Sequence, residues 1–362
     1  MNMKELTNIS PEAKIKHILS SLLLPIIAIM VGLLSGGIAA AIAGKNPFQA
    51  ILGLLQGGYG SAYLLTTTLT RATPIIFAGI SAALVWGSGY DSMGGAGQLT
   101  AGALVTAIIA PIIPGPPILV IIVSLLAGAA AGMLFSCIIT FLKVKFDASL
   151  LIVSLMMNYV AQYLSTYFTT YFFKDPYAAD SSAIQTQELT ATLPKLSEKY
   201  SLHLGFAMAI LLVILIWFMM NRTTFGYRAR MGGLNPNFAD YGGINSKKMI
   251  WSVLSLSGAI AGLGGAIEVL GTKGRYVDLM MISPGYNWSG ITASIMSGYH
   301  PAGTMISSVF LAGLNTGGSF IERNMGVPSE VSAIIQGVIT MLVTVKLVIS
   351  FRKKRKKGGA PK

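Results

Sequence analysis

Uncharged apolar segments of 15 to 27 residues recur along most of the chain, separated by short basic, glycine-rich or proline-rich segments. An α-helix needs about 20 apolar residues to cross the roughly 30 Å hydrocarbon core of a bilayer. The pattern predicts ten spans, of which the eighth and ninth share one uncharged segment that folds back near His300-Pro301. The predicted spans are 18–44, 72–86, 99–113, 118–142, 149–173, 202–221, 249–270, two within 279–321, and 331–351.

Two further segments are predicted to interrupt this series of spans. Residues 46–70 lack charge but are rich in Gly, Gln, Tyr and Thr, which favours an interfacial or re-entrant helix over a lipid-facing span. The prolines within 111–117 cannot continue a helix and predict a loop. We therefore expect an all-α, polytopic membrane protein with about ten transmembrane helices, some of them re-entrant or broken.

Basic residues are unevenly divided between the two sides of the predicted membrane. With an inside N-terminus and ten spans, 18 of the 26 Lys and Arg residues fall on the inner side, which predicts an N-in, C-in topology. A chain that is 53% hydrophobic and 11% charged is not a soluble protein. The net charge of +13 is explained by topology and by contact with anionic membrane lipid, so nucleic acid is not expected as a partner.

This placement divides the chain into parts with different surroundings. Residues 1–17 form a cytoplasmic N-terminus, 18–351 the transmembrane domain, and 352–362 a basic cytoplasmic tail. Within the transmembrane domain, 174–200 is the largest outer loop and 222–248 is a basic inner segment.

Motifs typical of enzymes are missing from the sequence. No Gly-x-x-x-x-Gly-Lys-[Ser/Thr] loop occurs, so we expect no ATP hydrolysis by this chain alone. The histidines His17, His203 and His300 are far apart and form no metal-binding motif, so we expect no metal and no cofactor here. No catalytic residue is assigned, and a channel or transporter remains.

The basic inner segment carries the most specific motif. Residues 226–244 read Gly-Tyr-Arg-Ala-Arg-Met-Gly-Gly-Leu-Asn-Pro-Asn-Phe-Ala-Asp-Tyr-Gly-Gly-Ile. They resemble the inner loop of ABC importer permeases for simple sugars, nucleosides and branched-chain amino acids, which follows a pattern close to R-A-x-G-x-N-P-x-A-A-x-Y-x-G-I. The matching residues are Arg230, Gly233, Leu234, Asn235, Pro236, Ala239, Tyr241, Gly243 and Ile244. Met231 and Phe238 replace alanines of the pattern.

The resemblance implies that this segment, with the flanking Arg228, is a coupling helix that seats in a cytoplasmic ABC ATPase. The residues agree, because Asn235-Pro236 is a good helix start and Gly242-Gly243 a good helix stop. The alternative is an ordinary basic inner loop. The resemblance further implies a bacterial plasma membrane protein working with a second permease subunit and an extracellular substrate-binding lipoprotein, with ATP and Mg on the ATPase.

Within that group the sequence resembles the nucleoside permeases. Their likeness lies in the glycine-rich spans, in Arg71-Ala-Thr-Pro74 at the entry to span two and in the long outer loop. The resemblance therefore implies a nucleoside as cargo, with a simple sugar such as ribose or galactose as the alternative.

Several polar or flexible residues are candidates for the translocation pathway. The glycine-rich segment 87–98 is predicted to be unwound backbone lining a cavity, or else a simple flexible connector. It resembles the family pattern N-I-G-x-E-G-Q at Gly94, Gly97 and Gln98, but Ser92 and Ala96 replace the asparagine and the glutamate. The other pathway candidates are Asn158, Glu268, Asn287 and Trp288.

Glu268 supports a competing hypothesis of a different class. An ionisable residue in a membrane span is a functional candidate, and Glu268 would be the proton site of an ion-coupled carrier. The alternative is that Glu268 has no transport role and lies at the membrane interface beside Lys273 or Arg275. GxxxG patterns at 32–36, 128–132, 258–262 and 313–317 allow close helix contact, either within the chain or with a second subunit.

Overall fold

The computed structural model describes residues 11–177, 183–196, 199–328 and 330–357, which form helices and connecting segments without a β-strand. The helices are α1 (Pro11–Ile42), α2 (Pro47–Tyr59), α3 (Ala62–Gly87), α4 (Gly95–Ile109), α5 (Pro117–Phe146), α6 (Leu150–Tyr171), α7 (Gly205–Arg222), α8 (Thr224–Leu234), α9 (Pro236–Tyr241), α10 (Ser246–Glu268), α11 (Tyr286–Met296), α12 (Pro301–Met325) and α13 (Glu330–Lys357). A π-helical segment, Val269–Lys273, continues α10.

Membrane-spanning length and apolarity are combined in five of the described helices. They are α3, α5, α7, α10 with its π-helical segment, and α12. Shorter apolar helices are Ile27–Ile42, Gly95–Ile109 and Glu330–Val343. The all-α prediction is confirmed, and the chain is a polytopic membrane protein. Its N-in, C-in topology and its count of about ten spans stay predictions.

One predicted boundary was wrong. Residues 62–70 belong to the same helix as the predicted second span, because α3 runs through Pro74 without ending. Pro74 removes one backbone donor, and the hydroxyls of Thr70 and Thr73 bond back to Thr66 and Leu69 within the helix. The eighth span is short, since α11 has 11 residues and rises about 16 Å, half of the hydrocarbon thickness.

The chain divides into two compact units, of which unit 1 comprises Met1–Ser61 and Leu314–Lys362. In unit 1, helices α1 and α13 pack together where Gly32 and Gly36 face Ile339 and Ile335. The short helix α2 begins at Asn46, whose side chain accepts hydrogen bonds from the first backbone amides of the helix. The separate α2 agrees with the interfacial or re-entrant helix predicted for the first part of 46–70.

Unit 2, Ala62–Gly313, contains α10 at its centre, packed against α3, α4 and α5. Glycines allow α10 and α5 to touch backbone to backbone: Gly128 and Gly132 lie against Gly258 and Gly262. A Cβ atom at Gly132 would collide with the backbone of Gly258 and Gly262. These two GxxxG patterns therefore pack against each other within the chain.

The predicted outer loop is ordered where the structure describes it. Its residues 183–196 run beside 270–278, held by backbone hydrogen bonds of 2.8–3.0 Å. These bonds run from Thr186 N–H to Tyr276 O, Leu189 N–H to Gly274 O, Leu193 N–H to Leu270 O and Asp278 N–H to Ile184 O. Arg275 pairs with Glu188 at 3.2 Å, so the loop closes over the π-helical end of α10.

Candidate functional site

The proposed coupling segment folds into two short helices joined at Asn235. The Asn235 side chain accepts a hydrogen bond from Phe238 N–H at 3.1 Å, and Pro236 is the first residue of α9. Gly242 caps α9, and Gly243 adopts a φ of 76°, which favours glycine. The predicted helix start and stop are thus confirmed, while the coupling role stays a prediction.

Asp240 ties α9 to the start of α10. One carboxylate oxygen accepts from Ser246 N–H at 2.9 Å, and the other accepts from the Ser246 hydroxyl at 2.9 Å. The backbone hydrogen bond from Ser246, helped by its hydroxyl and by nearby Lys247, lowers the pKa of Asp240 below its usual value. The carboxylate is therefore ionised at neutral pH and fixes the turn between the two helices.

The two arginines of the motif have different surroundings. Arg230 donates hydrogen bonds to the backbone oxygen of Met220 and to Asn221 Oδ1, which attaches α8 to the end of α7. Arg228 is exposed. Arg230 therefore has a structural role within the chain. Contact of either arginine with an ATPase stays a prediction.

Large side chains next to Arg228 are also exposed. Phe238 is 59% exposed and Tyr241 93% exposed, whereas Ala239 is fully buried. A pocket of about 350 Å³ opens between α8 and α9 and is lined by Tyr227, Arg228, Phe238, Gly243 and Ile244, among others. The aromatic rings and the pocket together form a surface suited to a protein partner. Gly233 lies away from it, against the backbone of Ser88 and Gly89.

The glycine-rich connector between α3 and α4 is unwound from residue 88 to residue 94. Asn158 on α6 holds it: Asn158 Oδ1 accepts from Gly97 N–H at 2.8 Å and Nδ2 donates to Met93 O at 2.9 Å. Ser154 accepts from Met93 N–H at 2.9 Å. The predicted unwinding is confirmed up to Gly94, whereas Gly97 and Gln98 lie in the first turn of α4.

A small polar cavity lies beside this connector. Gln98 and Asn287 line it with exposures of 2% and 4%, together with Ser81, Ser92 and Ser257. No described residue gives a hydrogen bond to Gln98 Oε1. The cavity measures about 10 Å³, which is room for one water molecule. The structure thus brings Gln98, Gly94 and Asn287 together, while their place in a translocation pathway stays a prediction.

Trp288 does not join this group, although it follows Asn287 directly in sequence. Its side chain is 55% exposed, while that of Asn287 is buried. Neighbouring positions on a helix point about 100° apart, so the two residues face different surroundings. The connector, Asn158, Asn287 and the cavity form one site without Trp288.

Glu268 is buried within the protein, and its position at the membrane interface stays a prediction. Its side chain is 2% exposed and accepts hydrogen bonds from the Tyr286 hydroxyl at 3.1 Å and the Thr272 hydroxyl at 3.2 Å. Arg275, named as an interfacial neighbour, pairs with Glu188 instead. The hydroxyl partners satisfy the carboxyl group inside the protein.

His203 extends the same network and was not predicted as a site residue. Its Nδ1 accepts from Gly205 N–H at 3.1 Å, and its Nε2 lies 3.3 Å from the Thr272 hydroxyl. Because Nδ1 accepts, the neutral ring carries its proton on Nε2, which donates to Thr272. The ring is fully buried.

Four exposed tyrosines on α6 were not predicted as site residues, although their spacing of four residues is visible in the sequence. They are Tyr159, Tyr163, Tyr167 and Tyr171.

In the part of the chain that the structure describes, no three His, Cys, Asp or Glu side chains cluster as a metal site requires.

Helices of membrane-spanning length, interrupted by an unwound polar connector that packs inside the bundle, are typical of membrane transport proteins. Residues 64–344 match the family described as branched-chain amino acid transport system / permease component. The chain belongs to this family.

Individual relatives are similar over nearly their whole length. The guanosine ABC transporter permease protein NupP of Bacillus subtilis is 31% identical over 94% of this chain and 99% of its own length. The nucleoside ABC transporter permease protein NupB of Lactococcus lactis is 26% identical over 90% and 92%. The glucose ABC transporter permease protein TsgB13 of Haloferax volcanii is 29% identical over 91% and 88%. No solved structure was found to match the chain.

Proposed function

We propose that this chain is a permease subunit of an ATP-driven ABC importer for nucleosides in a bacterial plasma membrane. The observation that carries the proposal is the similarity to the guanosine permease, which covers 94% of this chain and 99% of the relative. The nucleoside permease relative supports the same cargo.

The chain supplies the path and a docking surface, and its partners supply energy and substrate. A cytoplasmic ABC ATPase, holding ATP and Mg, docks on the exposed part of the coupling segment. The residues assigned to that segment are Arg228, Arg230, Gly233, Asn235, Pro236, Ala239, Tyr241, Gly243 and Ile244. A second permease subunit completes the membrane part, and an extracellular binding lipoprotein delivers the nucleoside.

The pathway assignment rests on the polar connector and its neighbours. Asn158 holds Gly97 and Met93, and Gly94, Gln98 and Asn287 line the same small cavity. Unwound backbone at membrane depth is tolerated where it lines a cavity or is buried in protein, which supports a path at this place. Closure of the ATPases would move α9, and through Asp240 the start of α10.

A simple sugar is the second candidate cargo, because the glucose permease is 29% identical over 91% of this chain. Family membership favours ATP coupling over an ion-coupled carrier using Glu268. Cargo and coupling are tested separately.

Coupling is tested by purifying the tagged chain from its native membrane in mild detergent and identifying the proteins that accompany it. The test variant combines Arg228→Glu with Tyr241→Ala, because both residues are exposed and Arg230 is needed for the fold. We expect the wild type to retain an ABC ATPase and the variant to lose it. The matched control is Lys145→Glu, an exposed basic residue on the predicted inner side outside the coupling segment.

Cargo is tested by uptake of labelled guanosine and labelled glucose into cells that carry the complete complex and lack other uptake systems for either compound. Guanosine uptake that glucose does not inhibit is expected. A wild-type chain that purifies without any ATPase would overturn the ABC assignment, and uptake of glucose alone would overturn the nucleoside cargo.

A further inference from the structure

A row of four tyrosines runs along α6 on the side that faces away from the core of unit 2. Tyr159, Tyr163, Tyr167 and Tyr171 are 55%, 68%, 51% and 73% exposed. Residues four apart share one face of a helix. From Tyr159 to Tyr171 the helix rises about 18 Å, more than half of the roughly 30 Å hydrocarbon core.

The length of this row is hard to reconcile with lipid on that face. Tyrosine is favoured at the membrane interface, where its hydroxyl reaches water, and this explains Tyr171 at the last residue of α6. Tyr159 lies twelve residues earlier, and no described residue hydrogen-bonds to any of the four hydroxyls. A hydroxyl left unpaired in hydrocarbon is unfavourable, so the row requires water or a polar occupant.

The neighbouring rows on α6 show where that water would be. On one side lie the half-buried polar residues Asn158, Gln162, Thr166 and Thr170. Asn158 holds the unwound connector, and Thr166 donates to Asp278 Oδ1 at 2.8 Å. On the other side lie the exposed apolar residues Val160, Leu164, Phe168 and Phe172. The tyrosine row thus forms the border between a polar side that holds the connector and an apolar side suited to lipid.

Tyrosine rings at this spacing suit a flat aromatic occupant. Successive tyrosines are about 6 Å apart along the helix axis, and the Tyr167 and Tyr171 ring centroids are 5.1 Å apart. Tyr159 and Tyr163 contact no described ring, so their faces are open. Aromatic side chains stack on any nucleobase, because every base has a π face, and stacking tolerates differences between bases.

We propose that Tyr159, Tyr163, Tyr167 and Tyr171 line the translocation path and stack the aromatic base of the nucleoside as it passes. The inference rests on the proposed nucleoside cargo and adds the residues that contact its base. A free sugar lacks an aromatic face and gains much less from this row. Similar rings repeated along the path allow the base to pass from one to the next without one tight site.

The test substitutes Tyr163, the central open ring, in the complete transporter. The initial rate of labelled guanosine uptake is measured for wild type, Tyr163→Leu and Tyr163→Phe. We expect a fall of about tenfold for Tyr163→Leu, in line with the contribution of one stacking partner, and a rate within about twofold of wild type for Tyr163→Phe. The matched control is Leu164→Ala, which shortens an exposed side chain in the neighbouring apolar row and should leave the rate unchanged.

Each variant is also assayed for its amount in the membrane and for co-purification of the second permease subunit. An unchanged rate for Tyr163→Leu would overturn the inference. Equal losses in Tyr163→Phe and Tyr163→Leu would overturn it as well, because the hydroxyl and not the ring would be the essential group. Loss of the second subunit from Tyr163→Leu would assign the row to a subunit interface instead.

Failure of the inference and failure of the proposed function give different results. If wild type imports guanosine and Tyr163→Leu does so equally well, only the tyrosine row is wrongly assigned. If wild type imports glucose and no guanosine, the proposed cargo is wrong and the inference falls with it.

Discussion

Asn158 Oδ1 accepts a hydrogen bond from the backbone N–H of Gly97 at 2.8 Å, across 61 positions of sequence. The same side chain donates to Met93 O at 2.9 Å, so one amide group bonds both sides of the turn into α4. Asn158 therefore holds the unwound connector together with Ser154 on the same helix, which accepts from Met93 N–H.

Replacing Asn158 by Ala should destabilise the connector and reduce transport. The substitution leaves a backbone N–H and a backbone carbonyl without partners, at a cost of about 1–3 kcal/mol for each group that stays buried. Thermal unfolding of the purified chain and initial uptake rates measure the two effects. Gln162→Ala, one turn along and also half-buried, is the control, and an equal loss in both variants would contradict a specific role of Asn158.

Gly132→Ala should disrupt the contact between α5 and α10. Its Cβ would meet the backbone of Gly258 and Gly262, which cannot move aside as a flexible side chain can, and overpacking of this kind costs about 1–3 kcal/mol. Gly337→Ala on α13 is the matched control, because no atom lies within 4 Å of the added Cβ. Folded yield and melting temperature in detergent measure both, and equal behaviour of the two variants would rule out the predicted contact.

Glu268→Gln separates an ATP-driven permease from an ion-coupled carrier. The amide oxygen still accepts from Tyr286, so we expect uptake within about threefold of wild type, given a net loss of roughly 0.5 kcal/mol for one weakened hydrogen bond. Glu268→Ala, which leaves the Tyr286 hydroxyl unpaired, should lose more stability. Uptake rate and membrane content are measured together. Complete loss of uptake by a stably folded Glu268→Gln protein would favour a proton-carrying role.

Local sequence signals predicted the breaks in the fold well. The loop at 111–117, the fold-back before Pro301 and both ends of α9 follow from proline, glycine and asparagine, whose effect on the backbone is local. The start of α3 was predicted wrongly, because the polar composition of 46–70 suggested a separate helix although α3 begins at Ala62 and continues through Pro74. Within a packed bundle, neighbouring helices and threonine hydroxyls tolerate a proline that would end an isolated helix.

Pairings between distant residues could not be predicted from one sequence. Glu268 was recognised as unusual, but its partners Thr272 and Tyr286 and the extension to His203 depend on how the helices pack. Likewise, the GxxxG patterns are visible in the sequence, but which of them pack against each other could not be predicted. Polar residues of the connector were found because their composition departs from that of their surroundings, which requires no tertiary information.

The length of α10 has a mechanical consequence. With its π-helical segment it is continuous from Ser246 to Lys273, about 40 Å, and each end is tied to another part of unit 2. Asp240 bonds Ser246 at one end, and His203 contacts Thr272 at the other. An axial displacement of α9 would therefore reach the far end of α10 through one continuous helix.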